Sequence, residues 1–446
     1  ISEMIMQNKT GQNKAAHNPE TREPKASEPK ASEIVIAGGG LTGLMMAVTL
    51  AHTPYNVTLI DRSSGIDRSS NSAKTEPPRS ADRRTTTIHA AGASMLDCLG
   101  VWAHLADKAA PIWHMHVAEG AANATAARRD KHKSNFNLHW SHDDAPMAFV
   151  VENSHLFDAL QQGLADTDVT YMDNSSITAL STAGNKAHLN LASGTRMSCD
   201  LLVACDGANS PLRKLAGMKT RTTPHRQSAI VAVLKSEKPH ADSAFQRFLI
   251  GGPIALMPMQ DGLLSLVWTL PADDADAHMT MDDTQFDIAC NAAFGGDLGY
   301  LELDSARLLW PLAPSLSLSP TSANMVLAGD AFHAIHPLAG QGYNLALGDA
   351  AVLADSLTRA HHRGLTAGHP SVLSDYAANR KVEVLAMSGV TSALNNLFFK
   401  MPRSLRRITG IGMSLVNASP LKMALSKIAA GGTLNKASLM QGKLPR

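Results

Sequence analysis

The length, composition and charge of the chain are those of an ordinary globular protein and exclude several other classes. Its 446 residues are enough for two or more domains, and 44% hydrophobic with 18% charged residues is typical of a folded protein in water. The formal net charge of +1 gives no reason to expect nucleic-acid binding. The four cysteines form no C-x-x-C pair, which argues against a disulfide framework or zinc site and favours the reducing cytoplasm. No apolar run approaches the ~18 residues of a transmembrane helix.

Residues 1–32 are predicted to be a disordered tail. They are rich in Gln, Asn, Lys, Ser, Pro and Glu and contain Pro-Lys-Ala-Ser followed by Glu twice. They lack the apolar centre of a signal peptide, and this polar composition does not support a packed core.

The first predicted element is a buried parallel strand at Ile34–Ala37, followed by glycines and an apolar helix over Leu41–Leu50. The glycines fit G-x-G-x-x-G: the first makes the tight turn, the second admits a pyrophosphate and the third lets helix pack on strand. The anion then lies at the helix N-terminus. The cofactor-binding residues predicted at this turn are Gly38, Gly40, Leu41, Thr42 and Gly43.

A second strand, Val57–Ile60, ends in Asp61 about 20 residues after the glycines, where a carboxylate accepts hydrogen bonds from ribose hydroxyls. The alternative, a glycine-rich turn without a ligand, does not explain this acid. An acid here favours an unphosphorylated adenosine ribose, which indicates FAD or NAD rather than NADP.

A polar loop is predicted over residues 62–82, and it ends near the pair Arg83-Arg84. These arginines are either a solvated loop end or groups that reach back to cofactor phosphate or flavin. Residues 120–145 are charged and predicted to be an exposed excursion. A helix over Leu156–Leu164 has Asn153 as its predicted N-cap.

Two further strands close on turns of acid and glycine. Leu201–Ala204 runs into Asp206-Gly207, and Met325–Leu327 runs into Gly329-Asp330. Between them, short strands with little helix over residues 229–270 predict an antiparallel sheet in a second domain. The nucleotide-binding domain is therefore predicted to be built from distant parts of the chain, with the antiparallel sheet inserted.

The loop after the third turn contains His333 and His336, and an apolar helix follows over Leu345–Leu357. The two histidines have no third ligand nearby in sequence, so no metal site is predicted. The N-terminus of the helix is a second place where backbone amides meet an anion or a developing negative charge.

The C-terminal region is basic and apolar. From Val384 onward there is no acidic residue, against nine Lys or Arg. One interpretation is a helical cap or an oligomer contact; the other is a basic amphipathic surface on anionic lipid.

Taken together, the three turns in this order resemble the single-component FAD-dependent aromatic hydroxylases, whose fold is that of para-hydroxybenzoate hydroxylase. The run Ala328–Leu345, with Gly-Asp followed by His-Pro-Leu-Ala-Gly-Gln-Gly, looks like the signature of the ubiquinone-biosynthesis hydroxylases, as does Phe245–Phe248. The resemblance covers roughly residues 33–400. It departs at Ser154-His155, where relatives often carry arginine, and at Arg83-Arg84, where the family usually has one arginine.

The resemblance implies an α/β fold with an FAD-binding Rossmann-like domain, an inserted antiparallel substrate domain and C-terminal helices. The implied segments are a tail at 1–32, the FAD-binding domain at 33–110, 148–217 and 321–383, a substrate-domain excursion at 111–147, the substrate domain at 218–320, and the basic helical region at 384–446.

It also implies cofactors and site residues: non-covalent FAD, with NAD(P)H as a transient co-substrate and O2. The implied cofactor-binding residues are those of the first turn with Asp61, Arg62, Arg84, Asp206, Gly207, Gly329, Asp330, Gly340, Gly342 and Asn344. The flavin ring is expected beside Pro337, Gly340, Gln341 and Gly342, with no acid–base residue assigned. Arg247 and Phe248 are the substrate candidates.

The reaction implied is hydroxylation of a polyprenylated phenol in ubiquinone biosynthesis through a flavin C4a-hydroperoxide. Implied partners are a biosynthetic complex, a second copy of the chain, and the inner face of the cytoplasmic membrane. Two alternatives stay open: the same fold acting on a soluble aromatic or reducing isoprenoid double bonds, and a catalytically silent flavoprotein subunit. The ring carbon, prenyl length, nicotinamide type and oligomeric state do not follow from the sequence.

Overall fold

A computed structural model describes most of the chain after residue 32. The described residues are 33–63, 83–120, 138–141, 144–222, 226–249, 251–335, 341–400 and 436–445. The predicted tail, most of the loop after Arg62, and the predicted site residues Pro337 and Gly340 lie outside them. Residues 32–446 form one contact unit, so the boundaries of the predicted domains stay predictions.

The helices and strands follow each other in the order expected of an α/β protein with an inserted sheet. The helices are α1 (Leu41–Ala51), α2 (Ala90–Cys98), α3 (Asn153–Ala165), α4 (Pro211–Leu215), α5 (Ala272–Thr280), α6 (Asp283–Phe294), α7 (Gln341–His362) and α8 (Pro370–Lys400). The strands before residue 223 are β1 (Glu33–Ala37), β2 (Asn56–Ile60), β3 (Thr85–His89), β4 (Ala110–Ile112), β5 (His114–Glu119), β6 (Leu138–Ser141), β7 (Ala148–Glu152), β8 (Thr170–Met172), β9 (Ile177–Ala183), β10 (Lys186–Leu191), β11 (Arg196–Cys199), β12 (Leu201–Ala204) and β13 (Thr220–Thr222). The later strands are β14 (Gln227–Ser236), β15 (Ser243–Leu249), β16 (Gly252–Pro258), β17 (Leu264–Pro271), β18 (Leu301–Leu303), β19 (Leu308–Pro311), β20 (Ser315–Ser317), β21 (Thr321–Ser322), β22 (Met325–Leu327) and β23 (His333–Ala334).

A six-stranded sheet in the order β21-β22-β12-β1-β2-β8 forms the centre of the nucleotide-binding part. All its pairs are parallel except β21 with β22. Its strands come from residues 33–60, 170–172, 201–204 and 321–327. The prediction that this sheet collects distant parts of the chain is therefore confirmed.

The parallel sheet is covered differently on its two faces. Ile34 and Ile36 of β1 pack with α1, α3 and α7, whereas Val35 and Ala37 point to the small sheet β9–β11, as strand alternation requires. Helix α1 is buried on nearly every side from Gly43 to Leu50. An apolar helix without a polar face is therefore the central element of this layer.

The inserted sheet contains β18-β14-β17-β16-β15-β5-β6, with β19 also pairing with β14. It is antiparallel as predicted, except that β5 pairs parallel with β15. No hairpin joins these two strands, because the chain passes through β6 to β14 between them, and a long crossover permits parallel pairing.

The two faces of this sheet have different neighbours. On one face Phe245 and Trp268 pack with Phe286 and Phe294 of α6. On the other face residues such as Met257 pack against the small sheet β3-β7-β4. The second contact joins the inserted sheet to the nucleotide-binding part.

One local prediction is corrected by the structure. The N-cap of α3 is Glu152 rather than Asn153, because the Asn153 side chain accepts a hydrogen bond from the Thr86 hydroxyl instead (2.6 Å). Helix α8 runs without interruption through residue 384, the predicted start of the C-terminal region, and Val384 is buried in the core.

Residues 436–445 return to the nucleotide-binding part. Leu439 and Met440 join the core beside α2, and the Ser438 amide donates to the Asp355 carboxylate (3.0 Å). Among the described helices, none has the length and apolar character needed to cross a bilayer.

Leu439→Ala is expected to lower the free energy of unfolding by about 2–5 kcal/mol, because a fully buried leucine leaves a cavity. Leu444 is 43% exposed, so Leu444→Ala is the matched control and should change stability by less than about 0.5 kcal/mol. Chemical denaturation of the two variants measures the difference. Equal stabilities would contradict the packing of this segment.

Candidate functional site

The first turn brings β1, α1 and β12 into very close contact. Gly38 has φ +105°, and a Cβ there would lie 2.6 Å from the Cys205 carbonyl oxygen. A Cβ at Gly43 would overlap the Gly38 carbonyl. Gly40 is the N-cap of α1 with no side-chain cap, and a Cβ there meets nothing within 4 Å. Gly38 and Gly43 thus allow close packing. Gly40 faces open space at a helix N-terminus whose first N–H groups lack intrahelical partners.

Asp61 lies where predicted, immediately after β2 and next to the first turn. Its backbone N–H donates to the Met172 carbonyl (2.8 Å), and Tyr171 donates to its carboxylate at 3.5 Å. The side chain is 5% exposed. Arg62 is exposed beside it. Since β1 and β2 are neighbours, the carboxylate and the glycine turn share one edge of the sheet.

The third turn packs directly on the first. Gly329 has φ +57°, and a Cβ there would lie 2.8 Å from the Thr42 hydroxyl oxygen. Asp330 follows with an exposed side chain. Desolvation by the surrounding protein nevertheless raises the pKa of the Asp330 carboxyl, with His333 acting in the opposite direction. The Asp330 side chain is therefore exposed although protein groups surround it closely.

The second turn is held through Asp206. One carboxylate oxygen accepts from the Leu212 amide (3.0 Å), and the other is buried with no hydrogen-bond partner among the described residues. Burial raises the pKa of this carboxyl, and hydrogen bonds from Ser210 and Leu212 partly oppose the rise. Gly207 follows in the left-handed region.

Arg213 is a site residue that the sequence analysis missed. It is 6% exposed, and its guanidinium donates to the Ala331 carbonyl (2.7 Å) and the Ala208 carbonyl (2.6 Å). It therefore ties the second turn to the third. Its position in the first turn of a short helix after Asp-Gly was the available signal, since such a residue points back toward the preceding loop.

The start of α7 is fixed to β3 and α2 by Asn344. Its side-chain amide donates to the Thr87 carbonyl (2.8 Å) and accepts from the His89 backbone N–H (3.1 Å). The His89 ring in turn caps α2 by accepting from the Gly92 amide (2.8 Å). Asn344 thus acts on the protein backbone. Of the residues predicted beside the flavin ring, Gln341 and Gly342 form the first turn of α7.

The two arginines before β3 contact the inserted sheet. The Arg84 guanidinium lies 4.6 Å from the ring centroid of Trp310 on β19. Arg83 pairs with Glu152 at 3.0 Å and with Asp304 at 3.8 Å. Arg84, for which a cofactor role is predicted, therefore lies where β3 meets the inserted sheet.

The two substrate candidates lie on opposite faces of β15. Arg247 is 1% exposed, contacts Asp297 at 3.6 Å and lies 6.0 Å from the Phe294 ring centroid, on the face covered by α6. Burial lowers the pKa of its guanidinium. Strand alternation places Phe248 on the other face, toward β3-β7-β4. The structure therefore does not bring the two side chains together.

His333, the first histidine of H-x-x-H, is fully buried, and its Nε2 lies 2.7 Å from the Asp349 carboxylate. His336 lies outside the described residues. Within the part of the chain that is described, no group of three or more His, Cys, Asp or Glu side chains is placed to hold a metal ion.

These features fit a bound dinucleotide. Gly40 leaves space at a helix N-terminus, Asp61 lies at the same sheet edge, and one Asp206 oxygen and the Tyr343 hydroxyl are buried without hydrogen-bond partners among the described residues. Buried polar atoms of this kind are usually satisfied by a ligand or a water molecule.

Gly40→Glu is expected to abolish FAD retention without unfolding the protein. The backbone φ of −74° suits any residue, and the new side chain enters open space where the pyrophosphate is predicted. Gly43→Ala is the contrasting variant, because its Cβ overlaps a backbone oxygen and should cost about 3 kcal/mol of stability. Flavin absorbance and thermal unfolding of FAD-free protein measure both. A Gly40→Glu protein that is yellow and retains stoichiometric FAD would contradict the assignment.

Acid is expected to destabilise the start of α2 through His89. Burial lowers the pKa of His89 to about 4, below its ordinary 6.5, so the unfolded chain binds more protons between these values. Stability is therefore complete above pH 6.5 and falls as the pH drops toward 4, by about 2 kcal/mol at pH 5.

The matched variant is His89→Asn, since Asn caps a helix without titrating. Denaturation of both proteins from pH 7 to pH 4.5 should show a smaller loss in the variant. An unchanged pH dependence would exclude His89 as a contributor.

Comparison with known proteins identifies the family of the chain. A family model described as an FAD binding domain matches residues 31–388. The ubiquinone hydroxylase UbiL of Rhodospirillum rubrum is 32% identical over 404 residues, which cover 90% of this chain and 89% of that protein. The 3-demethoxyubiquinol 3-hydroxylase of Escherichia coli is 31% identical over 409 residues, covering 90% and 98%.

A solved structure shows the same fold. The p-nitrophenol 4-monooxygenase PnpA from Pseudomonas putida superposes with a TM-score of 0.69 at 16% identity, covering 90% of this chain and 99% of that one. The predicted fold class, the FAD cofactor and the resemblance to ubiquinone-biosynthesis hydroxylases are confirmed. The chain therefore belongs to the FAD-binding-domain family and is an FAD-dependent monooxygenase.

Proposed function

We propose that this enzyme hydroxylates the ring of a polyprenylated phenol in ubiquinone biosynthesis, with NAD(P)H and O2 as co-substrates. The observation that carries the proposal is the identity of 32% and 31% with two hydroxylases named for ubiquinone and demethoxyubiquinol, each over 90% of this chain. The site geometry supports it, because the turns that hold FAD in such enzymes meet here at one sheet edge.

Three groups are proposed to hold the adenosine, pyrophosphate and ribityl parts of FAD. The N-terminus of α1 at Gly40 offers backbone N–H groups and the positive end of the helix dipole to the pyrophosphate. The Asp61 carboxylate accepts hydrogen bonds from ribose hydroxyls. The exposed Asp330 side chain would bind the ribityl chain. When bound, FAD supplies hydride acceptance and oxygen activation. The protein binds and orients the cofactor and the substrate, and it excludes water.

The start of α7 is proposed to serve the flavin ring. Gln341 and Gly342 present backbone amides at the N-terminus of a long helix, and such amides stabilise negative charge that develops on a nearby ring. Asn344 keeps this terminus in place through its two bonds to β3. Pro337 and Gly340, which the resemblance also implies beside the ring, lie outside the described residues.

The phenol is proposed to bind between the inserted sheet and the small sheet β3-β7-β4. The apolar side chains at this contact include Ile112, Met147 and Met257, which suits an aromatic ring with a hydrocarbon tail, and the hydroxyls of Thr85 and Ser265 meet there at 2.7 Å. Phe248 lies on this face and stays a substrate candidate. We assign Arg247 to support of the sheet, because it contacts Asp297 and Phe294 on the opposite face.

The C-terminal half of α8 is proposed to lead to a membrane contact. Val382 and Val390 are 70% and 56% exposed on this helix, and the sequence that follows is basic without an acidic residue. Anionic lipid at the inner face of the cytoplasmic membrane matches both properties. It would also supply a prenylated substrate. Flotation with anionic and neutral vesicles tests the contact; a biosynthetic complex or a second copy of the chain is the other outcome.

Cells lacking this gene are expected to lose ubiquinone and to accumulate one prenylated phenol, whose ring substitution identifies the carbon that is hydroxylated. Mass analysis of extracted quinones measures both. The wild-type gene should restore the pool, and the Gly40→Glu gene should not.

Two other outcomes would favour the alternative functions. An unchanged quinone pool would leave a monooxygenase of a soluble aromatic. Restoration by the Gly40→Glu gene would indicate a subunit that acts without FAD.

A further inference from the structure

Beneath the third turn lies a buried cluster of charged side chains centred on Asp349 of α7. One carboxylate oxygen accepts from the Gly329 backbone N–H (2.8 Å) and from His333 Nε2 (2.7 Å). The other accepts from Arg380 Nε on α8 (2.7 Å). Asp349, His333 and Arg380 are all fully buried. A charge pair removed from water is costly, and additional hydrogen bonds such as these help to offset that cost.

Arg380 extends this cluster to the start of α7 and to β22. Its Nη2 donates to the Leu345 carbonyl (3.0 Å), its Nη1 pairs with Glu383, and its neighbour Tyr376 donates to the Leu327 carbonyl (2.8 Å). Leu327 is the last residue of β22, before the third turn. Tyr376 thus holds the strand before the turn, Asp349 holds the turn itself, and Arg380 holds the helix after it.

The ionised state of Asp349 is secured by these partners. Burial pushes the pKa of its carboxyl upward, but His333, Arg380 and the Gly329 amide outweigh it and the pKa is lowered. The pKa of Arg380 is raised because Asp349 and Glu383 outweigh the effect of its burial. Because the carboxylate stays charged, each bond it accepts is charge-assisted and about twice as strong as a neutral one.

We propose that Asp349 is a positioning residue for FAD: its carboxylate, anchored by Arg380, holds the Gly329 amide and the His333 ring so that Asp330 is presented to the cofactor. Gly329 contacts Thr42 in the first turn of α1, so a shift of the third turn also disturbs the pyrophosphate site. The proposal rests on FAD binding and is independent of the phenol substrate.

The test compares Asp349→Asn with Asp355→Asn. Both changes lie on α7 and neutralise a carboxylate that accepts a backbone N–H, but Asp355 binds Ser438 of the C-terminal segment instead of the third turn. FAD is removed from each protein and titrated back, with flavin fluorescence as the readout. Thermal unfolding of the FAD-free proteins is measured in parallel, together with the absorption spectrum of bound flavin.

Asp349→Asn is expected to weaken FAD binding about 10- to 100-fold and to shift the bound-flavin spectrum. Asp355→Asn should leave the FAD dissociation constant within about threefold of wild type while lowering the unfolding temperature. Equal FAD affinity in Asp349→Asn and wild type, or an equal loss in both variants, overturns the proposal. Failure of the wild-type protein to bind FAD would instead overturn the proposed function.

A second pair of variants decides the matter if Asp349→Asn does not fold. His333→Gln places an amide near the position of Nε2 and keeps a donor to Asp349, whereas His333→Asn places its amide near Nδ1 and loses that bond. We expect FAD affinity within about threefold of wild type for Gln and a loss of about tenfold for Asn. Equal affinities, or the reverse order, overturn the proposal.

Discussion

The constraint on which this structure depends is the close approach of three backbone turns at one edge of the parallel sheet. Gly38 lies against the Cys205 carbonyl, and Gly329 lies against Thr42, at distances that leave no room for a Cβ. These contacts fix the spacing between β1, β12 and β22. A nucleotide-binding edge results because every turn there exposes backbone N–H groups or a carboxylate on the same side.

Buried polar groups hold these turns, because the turns have few apolar side chains that could pack. The Arg213 guanidinium donates to the carbonyls of Ala208 and Ala331. The Asp349 carboxylate accepts from Gly329, His333 and Arg380. Such groups are expensive to bury but directional. Apolar side chains supply most of the cohesion of the layers, and the charged ones determine where individual loop atoms lie.

Much of this arrangement was predictable from local pattern. The first strand, the glycine turn, the helix and the spacing to Asp61 can each be recognised in a short segment of the sequence. The structure reproduces all of them. The parallel pairing of β5 with β15 and the packing partners of Arg213 and Asp349 were not predictable. Each depends on which distant segment packs against a residue, and one sequence does not display that information.

The order of strands in the parallel sheet also bears on how the protein is made. Strand β1 pairs with β12, β12 pairs with β22, and α1 is covered by α7 and residues near Leu439. During synthesis the apolar helix α1 emerges long before the segments that bury it. We therefore expect an aggregation-prone intermediate until late in translation, and a yield that depends on chaperones because of this interleaved topology.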